Sequence, residues 1–596
     1  MKRTTAALAA LMLACATAPA SVAMGQTPAV AVQTASARLA AVIADYEAYR
    51  MRVDPMTAAA EGDDTAFARL PDVSRAFELA QAAPMQTLLD RLDAIAPEGL
   101  TAAERINHAF LAGMLRREIA GIALDAGRLS FDSEGGPGNF AGYMARSTRL
   151  GSAVEAERYI QRLRALGRTY DDTIANARRG LETGLVQPRS VVESAIALAR
   201  NDVALTAADD PLLAAFDTLP AAMPAEERAA LKRQGQAVIE AVAAPSRRAW
   251  LAFLTDDYLP QAPEAPGLAH RPGGRDLYAY LVGAYTTTDL TPDQVHQLGQ
   301  QEVARIRARM QTEMRAAGWT GDFAGFLTFL RSDPQFYAAS REGLLEKASE
   351  MAKRADDGLP ALFGTLPRLT YGVRPVAREI EENYTTGRYS PGSLRNGVAG
   401  GYLVNTSRLD QRPLYELPAL TLHEAVPGHH LQIALQQEAD AQPMFRRRAG
   451  VTAFTEGWGL YAEFLGEEMG FYRTPYERFG RLSYEMWRAC RLVADTGLHW
   501  LGWTTEQARA CFRDNSALAA HNIETELQRY IGWPGQATAY KIGEIRLRQI
   551  RQRAEAALGL GFDIRAFHDA LLVEGALPLD LLDVRMDAWI AEQAAP

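Results

Sequence analysis

The chain has 596 residues, of which 48% are hydrophobic and 23% charged, with three cysteines and a formal net charge of −9. This is ordinary globular composition, long enough for several domains or one large two-lobed enzyme, and no segment has the bias of a disordered tail. The acidic balance argues against nucleic acid or an anionic membrane surface as a partner.

The first two dozen residues stand apart. Lys2 and Arg3 form a basic start, Thr4 to Ala18 are small and apolar, and Ser21-Val22-Ala23 fits a small-x-small cleavage site. Residues 1–23 therefore read as a secretory signal peptide, whose removal leaves a charge of −11 (−9 minus 2). The apolar run is too short for a membrane span, and no other segment approaches one. The expectation is an exported protein, periplasmic or secreted. The rival is lipid attachment at Cys15, which follows Leu13-Ala14 but has Met12 where leucine is usual. The mature chain keeps Cys490 and Cys511, which export would allow to join and which could equally be two buried thiols.

Residues 24–260 are Ala-rich with helical periodicity. In Glu155–Thr183 the apolar residues Tyr159, Ile160, Leu163, Leu166, Tyr170 and Ile174 recur at three- and four-residue spacings. Pro260 to Gly274 is rich in Pro and Gly and marks a boundary, giving an N-terminal helical lobe (24–260) and a second helical region (275–596), or one continuous domain. Thr291-Pro292-Asp293-Gln294 opens a helix as N-cap, first-turn proline and capping-box partner. His296 within it reads as a surface or packing residue. Between Tyr384 and Asn405 glycines punctuate the chain, and Gly401-Tyr402-Leu403-Val404-Asn405 reads as a short strand able to pair with an extended peptide. Helices resume after Pro413 and Pro418, with Arg446-Arg447-Arg448 and Glu467-Glu468 read as solvated helix ends. The expected class is mainly α, a large two-lobed helical fold with a small β element beside a metal-binding helix.

That helix carries His423-Glu424-Ala425-Val426-Pro427-Gly428-His429-His430. A histidine followed by glutamate opens many zinc sites, the imidazole as ligand and the carboxylate as general base for a bound water. In the common H-E-x-x-H form the second histidine lies at i+4, which here is Pro427. If Pro427-Gly428 bulge from the helix, His429 takes that place. His430, at i+7, would lie about 10 Å further along the axis of an unbroken helix. A second helix follows with Thr455-Glu456-Gly457-Trp458 and Glu463. Two histidines and a glutamate from the next helix make a catalytic zinc set, so His423, His429 and Glu456 are the expected Zn²⁺ ligands. Glu463, two turns beyond Glu456, is the expected partner of a ligand imidazole, with His430 as a further neighbour.

These motifs, together with Arg529-Tyr530-Ile531-Gly532-Trp533-Pro534-Gly535-Gln536-Ala537 and Tyr540-Lys541-Ile542-Gly543, resemble the bacterial domain-of-unknown-function 885 family over most of the mature chain. The resemblance implies a largely helical zinc metallopeptidase-like protein, similar to the thimet oligopeptidase and carboxypeptidase-Taq groups. His423, Glu424, His429 and Glu456 match that pattern.

Peptide hydrolysis also needs a donor for the developing oxyanion. Tyr530 is the first choice, with Tyr540 and His499 as rivals. Gly401, Tyr402 and Asn405 on the strand, and Gln536, Tyr540 and Lys541 beyond it, are the expected substrate contacts. Lys541 with Gln536 would hold a terminal carboxylate and make the enzyme a carboxypeptidase. Arg395 and Arg529 are rival anchors. The expected function is an exported zinc-dependent peptidase for oligopeptides with Glu424 as general base. The alternatives are a zinc hydrolase of non-peptide amides or esters, and a non-catalytic metal- or peptide-binding protein.

Overall fold

The computed structural model describes residues 34–595 apart from 135, 379, 395 and 396. The expected leader, Cys15 and Arg395 lie outside the described residues.

Helices start where the sequence offers a cap. The Ser152 hydroxyl accepts from the Glu155 N–H at the head of helix α1 (Ala153–Thr183), which buries Tyr159, Ile160, Leu163, Leu166 and Tyr170. Thr291 and Gln294 close a reciprocal capping box on α2 (Pro292–Ala316). His296 in α2 is a buried packing residue, its Nδ1 2.8 Å from the Thr496 hydroxyl.

The β element is a three-stranded sheet of β1 (Tyr371–Pro375), β2 (Gly387–Ser390) and β3 (Gly400–Val404), in the order β1-β3-β2. β1 runs parallel to β3 and β2 antiparallel to it. This corrects the expected substrate strand. β3 is central, so both its edges are filled, and a peptide cannot add to it. Gly401 pairs with Gly372 on one side and Ser390 on the other. The Tyr402 ring is buried, its hydroxyl 3.3 Å from that of Thr421. The Asn405 amide donates to the carbonyls of Glu381, Tyr384 and Thr385 and so organises the preceding loop. The edge strands are β1 and β2.

Beyond the sheet come α3 (Leu417–Glu424), α4 (His429–Gln437), α5 (Thr452–Glu468), α6 (Pro475–His499), α7 (Ala520–Gly532) and α8 (Ala539–Leu558). Among the described residues no helix is long and apolar enough to cross a membrane. The main apolar core takes residues from both sides of the Pro260–Gly274 stretch, among them Leu39, Phe110 and Leu254 before it and Leu422, Trp458, Leu492 and Ile542 after it. A smaller cluster around Tyr159, Leu163 and Phe216 lies under α1. The Pro/Gly stretch is itself packed: the Leu268 N–H donates to His499 Nδ1, and Arg271 Nε donates to the Val186 carbonyl. Cys490 and Cys511 form a disulfide, which decides between the two readings of that pair.

Two charged segments are not the solvated helix ends that their sequence suggests. Arg446 is buried and donates to Asn107 Oδ1 (2.6 Å) and the Glu574 carbonyl (2.9 Å). Glu467 pairs with Arg309 and Arg481, and Glu468 with Arg551. Long charged side chains serve as interior ties where the fold supplies partners, which local sequence does not show.

The strongest such tie is at Lys541. Its ammonium is fully buried and sits 2.6 Å from Glu544, 2.8 Å from Glu485 and 3.0 Å from Glu302, joining α8, α6 and α2. Removing one partner of a buried ion pair leaves uncompensated charge in low dielectric. Lys541→Met is therefore expected to destabilise the fold by about 3–5 kcal/mol, read from denaturant unfolding monitored by circular dichroism. A loss below about 1 kcal/mol, the worth of an exposed pair, would remove the lysine from this role.

Candidate metal centre

The H-E motif lies on two helices, not on one bulged helix as expected. α3 ends at Glu424. Ala425 leaves helical geometry (φ −93°, ψ −112°), the Val426–Pro427 peptide is cis, Gly428 is again non-helical (φ −74°, ψ −128°), and α4 begins at His429. The turn is so tight that a Cβ on Gly428 would stand 2.0 Å from the His423 carbonyl oxygen and 2.4 Å from that of Leu422. Only glycine fits there. The turn is fastened from outside by the buried Trp458, whose Nε1–H donates to the Pro427 carbonyl at 2.8 Å.

The result is a convergence of three side chains. Glu456 Oε2 lies 3.4 Å from His423 Nε2 and 3.5 Å from His429 Nε2, and the three ligand atoms all fall within 4.8 Å of one another. Two ligands at about 2.0–2.1 Å from a tetrahedral ion stand about 3.3–3.5 Å apart. A charge-assisted hydrogen bond would be nearer about 2.8 Å. The spacing and the N,N,O donor set thus fit a zinc-sized cation.

The supporting residues come from α5 and the sheet. Glu456, Gly459 and Glu463 form one stripe of α5. His423 Nδ1–H donates to Glu463 Oε1 at 2.8 Å, which orients the ring and leaves Nε2 to face Glu456. Gly459 makes room for that ring, since a Cβ there would meet His423 Cε1 at 2.5 Å. Arg488 stands 3.6 Å from Glu463 and keeps a positive charge beside it. Burial disfavours charge on His423, but with no metal present the neighbouring carboxylates of Glu456 and Glu463 outweigh it and push its pKa up to about 10. Burial likewise opposes ionisation of Glu456, and His429 and His423 overcome it, holding the carboxyl well below the usual range.

Glu424 lies at the rim of this group, Oε2 4.0 Å from His429 Nε2. The same oxygen accepts from the Tyr389 backbone N–H at 2.6 Å. In the β2–β3 register Tyr389 N–H points away from β3, so the free edge of β2 meets Glu424. His430 is outside the ligand group. Its Nε2–H donates to the Leu369 carbonyl and its Nδ1 accepts from the Tyr389 hydroxyl, both at 3.0 Å. Burial pushes its pKa down to about 4, which keeps the ring neutral. His430 thus ties β2 to α4 and, through Tyr389, fixes Glu424.

The remaining predicted residues divide. The Tyr530 hydroxyl is buried and fully engaged, donating to Glu526 (2.7 Å) and accepting from Arg491 Nε (2.8 Å) and Trp487 Nε1 (2.9 Å), so it has no proton left for an oxyanion. His499 accepts from the Leu268 N–H and donates to the Tyr530 carbonyl, and burial lowers its pKa to about 4, so it is a structural link. Gln536 and Tyr540 come together around Arg529, whose Nη2 donates to both, at 2.6 and 3.2 Å. Lys541, held among three carboxylates, does not join them.

A family model described as a bacterial protein of unknown function, DUF885, matches residues 55–586. The chain belongs to the DUF885 family. Its structure is similar to that of a candidate lipoprotein from Colwellia psychrerythraea, with 26% identity and a TM-score of 0.88 over 94% of this chain and 100% of that one. A candidate lipoprotein of unknown function from Shewanella oneidensis shares the fold at 17% identity and a TM-score of 0.70, over 93% of this chain and 100% of that one. No curated protein matches this chain.

Three supporting residues of this DUF885 chain escaped sequence reasoning. Gly459 was within reach, since it shares a helix stripe with Glu456 and Glu463. Tyr389 acts through its backbone N–H, which has no sequence signature. Arg488 is joined to Glu463 by tertiary packing alone.

Two predictions follow from the centre's packing. Gly459→Ala should push the His423 ring from its place, so that zinc bound per chain, read by elemental analysis, falls well below one while the circular dichroism spectrum is kept. Full zinc content in Gly459→Ala would contradict the placement. Glu416, just before α3, has a buried carboxyl whose pKa burial raises from 4.5 to about 8 despite Arg488, Arg331 and Arg412. The folded state then holds a proton that the unfolded chain releases, so this group's stabilisation is complete below pH 4.5 and disappears as pH rises to about 8. Glu416→Gln should match wild type in Tm near pH 4.5 and exceed it at pH 8, and an unchanged difference across that range would exclude the shift.

Proposed function

We propose that this chain is an exported, zinc-dependent peptidase acting on oligopeptides. The observation that carries the reading is the convergence of His423 Nε2, His429 Nε2 and Glu456 Oε2 with the Glu424 carboxylate beside them. Structural zinc sites are closed by four protein ligands, whereas three ligands and an adjacent free carboxylate are the pattern of a hydrolytic site. The likeness to a candidate lipoprotein supports export.

Bound to these three residues, zinc would supply a polarised water and a Lewis acid for the substrate carbonyl. Glu424 accepts the proton of the attacking water and delivers both of that water's protons in turn to the leaving nitrogen, so that one water and one amide give a carboxylate and an ammonium ion. The Tyr389 N–H holds one Glu424 oxygen and leaves the other for that transfer. Tyr540 replaces Tyr530 as the oxyanion donor. Its hydroxyl oxygen accepts from Arg529, and its own proton remains to be given. The ligand side chains are recessed, His423 being 3% and Glu456 20% exposed, which favours short flexible peptides over folded proteins.

The test is zinc content and turnover of wild type beside Glu424→Gln, on peptide, ester and non-peptide amide panels read by mass spectrometry. Glu424→Gln should keep one zinc and lose about 10²–10⁴-fold in kcat. Full peptide turnover by that variant would end the general-base assignment, and turnover of esters alone would end the peptidase reading.

A further inference from the structure

Arg491 and Arg529, both on buried helix faces, share one carboxylate: Glu526 Oε2 accepts from Arg491 Nη2 at 2.9 Å and from Arg529 Nη1 at 3.3 Å. Their other partners, Tyr530, Gln536 and Tyr540, are neutral. Arg491 is 2% exposed and its Nη1 has no hydrogen-bond partner among the described residues. Asp495, also in the field of both guanidiniums, makes no ion pair with either and accepts instead from the Tyr278 hydroxyl and the Gly535 N–H. With Glu526 ionised the group carries between zero and one positive charge in excess, according to whether Asp495, whose carboxyl burial pushes up to about 7, is ionised.

Position gives that charge a use. α8 presses Gly543 against Gly457, the residue after Glu456, with a Cβ on Gly457 reaching within 2.6 Å of Gly543 Cα. Tyr540 lies one turn earlier on α8, and Arg529 is bonded to it. On the other side, Arg388 precedes Tyr389 on β2, whose N–H holds Glu424. Its exposed guanidinium lies over the Tyr384 ring at 5.5 Å and forms no ion pair among the described residues. The charges of Glu134, Arg529 and Glu424 all act on it. A dication with Glu456 and Glu424 is neutral (2 − 1 − 1), so nothing at the centre itself offsets the surplus.

We propose that Arg529, together with Arg388, binds a carboxylate of the substrate and so selects acidic peptides or peptide C-termini. This rests on the hydrolytic reading above. A guanidinium that shares its one carboxylate with Arg491 and is held by Gln536, Tyr540 and Glu526 has its fork geometry already set, so an arriving anion gains charge-assisted hydrogen bonds without further ordering. Removing Arg529 should not harm the fold, since Arg491 and Glu526 then form a balanced pair.

The experiment measures binding by isothermal titration calorimetry to zinc-loaded Glu424→Gln, which holds substrate without turning it over. Three probes share one pentapeptide sequence: the free acid, the C-terminal amide, and the amide with one internal Ala replaced by Asp. The free acid or the Asp-containing amide should bind about 10- to 100-fold more tightly than the plain amide. Preference for the free acid alone identifies the terminal carboxylate as the ligand, and preference for the Asp-containing amide alone identifies an acidic side chain. Adding Arg529→Met should reduce the advantage to less than about threefold, and Arg529→Lys should restore part of it. Should Arg529→Met not fold, Arg388→Met, at an exposed position, is read in the same way. Equal binding of all three probes, or an advantage that survives both arginine substitutions, overturns the proposal. The outcomes separate from those of the hydrolytic reading: wild type cleaving acid and amide equally well would refute the anchor alone, and carboxylate-selective binding without any cleavage would refute hydrolysis alone.

Discussion

The centre depends on one constraint: two histidines from successive helices must meet a carboxylate from a third within 3.5 Å. The chain manages this by leaving helical geometry for four residues and resuming it at once. Such a break exposes backbone groups that would be costly if buried unpaired. The Pro427 carbonyl is satisfied by Trp458, the Ala425 carbonyl by the His430 N–H, and Gly428 lets the turn close on the His423 carbonyl. α5 answers for most of the rest. It supplies the converging carboxylate in Glu456, the fastening in Trp458, the space in Gly459 and the orienting carboxylate in Glu463, so displacing one helix would disturb every part of the centre together.

Around that core, buried charge does the positioning that apolar packing cannot. Apolar contacts exclude water but are not directional, whereas ion pairs in low dielectric fix distance and angle. Lys541 holds α2, α6 and α8 in register through three carboxylates. Arg488 keeps its charge beside Glu463, and Glu463 in turn orients His423. The pair of Arg491 and Arg529 differs because the two share a single carboxylate, Glu526.

Much of this was legible in the sequence where local rules decide. The Thr291–Gln294 cap, the apolar stripe of α1, and the stripe that carries Glu456 and Glu463 follow from helix periodicity and capping alone. The grouping of His423, His429 and Glu456 was legible too, although the geometry that joins them was not: periodicity describes one helix, and the turn from Ala425 to Gly428 makes two. Strand order is a tertiary property, so nothing in Gly401–Asn405 shows that β3 is enclosed by β1 and β2. Lys541, Arg446 and Tyr530 were misread for a shared reason. Each is a polar side chain whose partners lie on distant segments, and a local reading assigns it to solvent or substrate by default. Arg529 shows the converse, since only the count of neighbouring charges distinguishes it from any other buried arginine.

The most direct measurement is X-ray absorption and anomalous scattering at the zinc edge on the purified, zinc-loaded protein. One zinc per chain should appear between α3, α4 and α5, with two imidazole nitrogens and one carboxylate oxygen at about 2.0–2.2 Å and a lighter fourth ligand. Zinc held by His430, zinc elsewhere in the chain, or no ordered zinc would contradict the account.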